Sequence, residues 1–234
     1  MDKNYRQQHI AAGIKQLLLT YGMLFLQLLI FLFSANLVFD FRVQFFFATS
    51  FVHSSIGIAV QYGVNPDLMI KRLKIKRRGS KLWDEILMRA SNLMMLVVAP
   101  AVAGLDVGRF MVTSFPFYFV ALGFAFFVIS TVLLNWAMAV NVHFEPTVRI
   151  QEKHRVIATG PYEIIRHPGY LAGIMYSMSI PFIIGSVMAL IPVGLYVILM
   201  IVRTWLEDKT LQRELVGYRE YAELTKSRLI PGIW

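Results

Sequence analysis

The 234-residue chain contains no cysteine. That excludes disulfides, thiolate catalysis and cysteine-ligated metals. Charge is scarce as well. Only 16% of residues are Asp, Glu, Lys or Arg, where a soluble domain of ordinary composition carries about 25%. Acidic residues are the rarer sign, 14 against 23 Lys and Arg. What fills the space is apolar: 57% of the chain is hydrophobic and 14% is aromatic. This balance excludes a disordered chain and argues against a water-soluble globule. It points to an all-α polytopic membrane protein. In such a protein a net charge of +9 is first a topology signal and only second an attraction for anionic partners. A nucleic-acid partner is not expected.

A helix crossing the hydrocarbon layer needs about 20 apolar residues. Gln16 to Phe39 and Val43 to Val64 are two such runs. Only Asp40, Phe41 and Arg42 separate them, which predicts a tight antiparallel hairpin. The first run is too long for the apolar part of a secretory leader and reads as a retained span. A basic loop follows, with Lys71, Arg72, Lys74, Lys76, Arg77, Arg78 and Lys81, and reads as an anchor for lipid headgroups. Ala90 to Leu105 is a short third run beginning after Arg89. Phe110 to Phe144 is uncharged and longer than one upright helix requires.

Gly169 to Val202 is also uncharged. One helix of that length would be roughly 50 Å long and would overshoot a bilayer. Gly185-Ser186 near its midpoint, flanked by Pro181 and Pro192, predicts a helical hairpin, its second arm continuing as an amphipathic helix to about Leu224. The count is six spans, both termini on one face. Arg42 and Arg109 are the basic residues of the other face, Arg89 lies at a span end, and the rest crowd the terminal side, which should be cytoplasmic. Residues 1–110 then form an N-terminal transmembrane part and residues 111–234 a functional core.

Polar chemistry concentrates in Thr147 to Tyr170, which holds His154, Arg166 and His167, and in the helix boundary R-T-W-L-E-D, Arg203 to Asp208. Glu207 follows Arg203 by four positions and shares its helical face, which also permits an ordinary surface ion pair. If the hairpin folds back, the two segments meet at the membrane surface. Together they offer imidazoles, cations, backbone N–H groups and carboxylates, a set suited to a zwitterionic or cationic small molecule. His53 inside a span reads as a hydrogen-bonded structural residue, and His143 as a weaker candidate for ligand contact.

The order H-R-V-I-A-T-G-P-Y (His154–Tyr162), R-H-P-G-Y (Arg166–Tyr170), an apolar hairpin, R-x-x-x-E-D, Y-R-E-Y (Tyr218–Tyr221) and L-I-P-G-I-W (Leu229–Trp234) resembles the isoprenylcysteine carboxyl methyltransferase and phospholipid methyltransferase superfamily. The likeness covers roughly residues 147–234. It implies a multi-pass enzyme that transfers a methyl group from S-adenosylmethionine to a lipophilic or lipidated acceptor among membrane lipids. By this resemblance His154, Arg155, Val156 and Ile157 contact the cofactor, with Gly160 beside Tyr162, whose ring lines the pocket. Arg166, His167, Pro168, Gly169 and Tyr170 close on it. Glu207 holds the amino group, and Gln151 is a further contact. Arg203 binds the acceptor or takes part in catalysis, ideally gripping a carboxylate by two hydrogen bonds. Asp208 is counted among the cofactor contacts as well, although the family often has Glu at that position. A lipid amine methyltransferase, an NADPH-dependent membrane sterol or enone reductase, and a non-enzymatic scaffold or transporter are the alternative readings. The oligomeric state is not legible.

Overall fold

The computed structural model describes residues 3–73, 79–111, 114–150 and 154–234, with side chains from residue 6 onward. Within them every regular element is helical: α1 (Lys3–Ser34), α2 (Phe41–Val64), α3 (Pro66–Arg72), α4 (Leu82–Phe110), α5 (Phe119–Val140), α6 (Pro168–Ile184), α7 (Leu190–Glu214) and α8 (Tyr218–Leu224). Five of these, α1, α2, α4, α5 and α7, are long and apolar enough to cross a membrane, while α6 has 17 residues, roughly 25 Å of helix. Lys74, Lys76, Arg77 and Arg78 of the basic loop lie outside the described residues, as does Gln151.

The expected hairpins form, with altered borders. Asp40 caps α2 by accepting a hydrogen bond from the Val43 N–H at 3.1 Å. Gly185, at φ +88°, ends α6 and turns the chain into α7. Three expectations are corrected. The third span starts at Leu82, not after Arg89, because α4 carries Asp84 buried and Arg89 exposed within its first turns. The run from Phe110 to Phe144 is not one helix. Met111 takes a left-handed φ of +46°, and the chain from Ser114 to Tyr118 instead lies against the α6–α7 turn, the Phe115 N–H donating to the Gly185 carbonyl at 3.1 Å. Pro116 has no N–H to give a helix there. The last helix does not run unbroken to Leu224: α7 stops at Glu214, and Gly217, at φ +81°, starts α8 in a new direction.

Apolar clusters hold the bundle. At the end away from the termini, Phe31 of α1, Ala35 just beyond it, Val43 and Phe46 of α2, Phe127 of α5 and Ile180, Ile183 and Ile184 of α6 pack together. Asp106 of α4 ties the α6–α7 turn to this end, accepting from Ser186 Oγ at 2.7 Å and Met188 N–H at 3.1 Å. At the other end Ala137, Tyr162, Leu215, Tyr218 and Tyr221 form a smaller core under the polar loop. His53, in the bundle interior, sits 2.7 Å from Thr131 Oγ1, as a structural residue should.

Helix α4 meets α1 through Gly104 and Gly108, spaced four apart, a pattern that lets helix backbones touch in a membrane. A Cβ at Gly104 would stand 2.5 Å from the Phe31 carbonyl oxygen, and one at Gly108 would collide with the Ala35 carbonyl. Gly108→Ala is therefore expected to cost about 3 kcal/mol, because backbone atoms cannot yield as a side-chain tip can. Gly22→Ala, which meets nothing within 4 Å, should leave thermal unfolding in detergent unchanged or slightly raised. Equal melting temperatures for the two variants would refute the close contact.

Candidate active site

A cavity of about 360 Å³ opens at the end of the bundle that carries the termini. That is the size of a small-molecule site. Its walls come from the loop between α5 and α6, the start of α6, α7 from Tyr196 onward, and α8, with Arg72 of α3, Met88 and Asn92 of α4 and Leu134 of α5. The loop is fixed from several sides. The Asn141 amide donates to Tyr162 Oη at 2.9 Å, and Tyr221 Oη donates to the Tyr162 carbonyl at 2.7 Å. Gly160, at φ +62°, brings the backbone against Trp136, whose Nε1 would lie 2.9 Å from an added Cβ, so only glycine fits this approach.

The second polar segment faces this loop across α6 and α7. Tyr170, one turn into α6, hydrogen-bonds Glu207, four positions beyond Arg203 on α7. His167 Nε2 is 3.4 Å from Asp208 Oδ1. The residues on either side of the hairpin thus converge on one cavity. Of the residues singled out from sequence, His154, Arg155, Val156, Ile157, Tyr162, Arg166, His167, Pro168, Gly169, Tyr170, Arg203 and Glu207 line it. Gly160 and Asp208 do not, and Gln151 lies outside the described residues.

Asp208 is buried behind the wall. It accepts from Arg166 Nε at 2.8 Å and Nη2 at 3.0 Å, from Arg228 Nε at 2.9 Å and from Tyr218 Oη at 3.2 Å. Arg166 also donates through Nη1 to the carbonyls of Ala222, Thr225 and Lys226, closing the end of α8. The N–H groups of Arg166 and His167 donate to the carbonyls of Ser227 and Arg228 at 3.0 Å each. The C-terminal tail therefore clips the R-H-P-G-Y loop in place.

Arg203 departs from the helical-face pairing that its spacing suggests. Its Nε donates to Asp84 Oδ1 at 2.7 Å and its Nη2 to the Pro146 carbonyl, while the guanidinium lies over the Tyr170 ring, 5.1 Å from its centre. The Nε–Nη2 edge that would grip a carboxylate side-on is already engaged. Among the described residues Nη1 has no protein acceptor.

The cavity is rich in cations. Arg72, Arg149, Arg155, Arg166 and Arg203 line it, against two carboxylates, Glu145 and Glu207. Glu145 is forked by Arg149 at 2.7 and 2.8 Å. Glu207 forms no ion pair among the described residues. Sequence reasoning missed Arg72 as a wall residue, Glu145, and Asp84, whose partner stands 119 positions away.

The His143 and His154 rings meet at a tilt, with ring centres 4.4 Å apart. Burial first, then the His143 charge, pull His154 from 6.5 down to about 4. A folded value below the unfolded one means that protonation favours the unfolded chain. The His154 contribution to stability is complete above about pH 6.5 and fades as pH falls toward 4. The drop in melting temperature between pH 7.5 and 5 is expected to be smaller in His154→Gln than in the wild type. Identical drops would contradict the assignment.

Residues 108–213 match the Isoprenylcysteine carboxyl methyltransferase (ICMT) family. Over that stretch the chain is similar to this family. The matched stretch contains α5, the polar loop, α6 and most of α7, including Arg203 and Glu207, and it supports a membrane methyltransferase. No curated protein matches the chain.

Proposed function

We propose that the protein transfers the methyl group of S-adenosylmethionine to a carboxylate on a lipophilic acceptor, best represented by a prenylated cysteine, with the cavity opening to the cytoplasm. The observation that carries this reading is Glu207, a wall carboxylate with no ion pair among the described residues, in a wall otherwise rich in arginine. A cavity with one uncommitted carboxylate and several guanidiniums suits a donor bearing an ammonium and an acceptor bearing a carboxylate.

The residues present fit the donor. Glu207 would hold its amino group, and Tyr162, Val156, Ile157 and Leu211 give aromatic and apolar surface for the rest of the molecule. When bound, the donor supplies a methyl group already activated by positive sulfur. The protein's own tasks are positioning and exclusion of water. Arg203, held by Asp84 and Pro146, presents Nη1 to the acceptor carboxylate. Met88, Asn92, Leu134 and Met200 line the side of the cavity between α4, α5 and α7, where an apolar tail would enter. The crowding of Lys and Arg at this end supports a cytoplasmic opening by the positive-inside rule.

Purified protein incubated with methyl-labelled S-adenosylmethionine and an S-farnesylcysteine analogue is expected to yield a labelled methyl ester that base hydrolyses. Base-stable label on an amine lipid would replace the carboxylate acceptor with an amine. No transfer to either acceptor would overturn the reading.

A further inference from the structure

We infer that Asp84, from the part of the chain that precedes the family match, is the positioning residue that sets the working orientation of Arg203; this rests on the proposed transfer to a carboxylate acceptor. Asp84 is fully buried near the start of α4. Its two oxygens do separate work. Oδ1 accepts from Arg203 Nε at 2.7 Å, and Oδ2 accepts from the Val148 N–H at 2.8 Å. One carboxylate therefore fixes both the guanidinium on α7 and the first stretch of the polar loop. Lys81 N–H donates to the Val148 carbonyl at 3.3 Å, so the start of α4 and the loop are joined twice.

A buried ion pair is seldom a gain in stability over well-packed apolar side chains. A pair retained at the wall of a cavity has another use available. With Nε given to Asp84 and Nη2 to Pro146, and the Tyr170 ring covering one face, the guanidinium is held in place, and Nη1, with no protein acceptor among the described residues, is left for a ligand. Removing Asp84 frees the guanidinium to rotate or to seek Glu207 on the next turn. Either change withdraws the donor from the acceptor. The helices before the matched region thus contribute a contact that the transfer step depends on.

The test compares Asp84→Asn, Asp84→Glu and Arg203→Gln, singly and combined, in purified protein. An asparagine can accept from one donor but turns an N–H toward the other. Asp84→Asn should lower kcat/KM for the carboxylate acceptor by about 10- to 100-fold, while the Kd for S-adenosylmethionine changes several-fold less. In the Arg203→Gln background the same change should cost less than about threefold, because a residue that acts through Arg203 has nothing left to position. Should Asp84→Asn not fold, Asp84→Glu keeps the charge but displaces the guanidinium by one methylene, and the same split is expected at smaller size. Wild-type kinetics in whichever variant folds, or an equal penalty in both backgrounds, would overturn the inference. A wild-type protein that methylates no carboxylate acceptor defeats the underlying reading instead, so the two failures are told apart.

Discussion

Glu207→Gln is expected to weaken S-adenosylmethionine binding by about 100-fold, close to 3 kcal/mol, with little change in thermal stability. Glu207 lines the cavity and accepts the Tyr170 hydroxyl, and no cation among the described residues pairs with it. Its charge is therefore not spent on holding the fold. The other carboxylate of the wall, Glu145, is locked in a fork with Arg149 and cannot serve a ligand without breaking that pair. A glutamine keeps the shape of Glu207 and an acceptor for Tyr170 but loses the attraction for an ammonium group. Equilibrium binding of labelled donor to the two proteins measures the difference. Equal affinities would show that the cationic end of the donor is held elsewhere.

Asp208→Asn should do the reverse. It is expected to remove about 3–5 kcal/mol of stability, which for a chain of this length is on the order of 10 °C in melting temperature. Asp208 is 1% exposed and balances two guanidiniums, those of Arg166 and Arg228. An amide in its place leaves both cations short of countercharge in a buried site. The R-H-P-G-Y loop and the C-terminal tail, joined through Arg166, would loosen together. Neighbouring carboxylates on one helix are thus assigned opposite duties, Glu207 to the ligand and Asp208 to the fold. Differential scanning of both variants checks the assignment. A stable Asp208→Asn beside an unstable Glu207→Gln would reverse it.

Much of this arrangement is legible in the sequence because its signals are local. Gly185-Ser186 between Pro181 and Pro192 marks the hairpin, and the hairpin alone brings R-H-P-G-Y opposite Glu207. Uncharged runs mark the spans, although their borders move. The charged first turns of α4 are hidden by a composition rule that discounts charge, yet Asp84 is tolerated because it is buried against Arg203. The break after Phe110 is equally hidden, since an uncharged stretch looks the same whether it is helical or wraps across a turn as residues 114–118 do.

Other features depend on partners far along the chain. Nothing near residue 84 announces Arg203, and Gly104 and Gly108 gain meaning only against Phe31 and Ala35. The spacing of Arg203 and Glu207 suggests a mutual pair; tertiary contacts give each a different partner, Asp84 and Tyr170. Helical periodicity places residues on a face but does not say which of several neighbours will win a hydrogen bond. The role of Asp208 is obscured for the same reason, because it depends on Arg228 and the tail folding back over the loop.

The most direct test is a structure of the protein with S-adenosylhomocysteine. The nucleoside is expected in the cavity bounded by residues 154–170, with the amino group of the ligand within hydrogen-bond distance of the Glu207 carboxylate. A ligand bound elsewhere, or a Glu207 that contacts only protein while the cavity is filled, would contradict it.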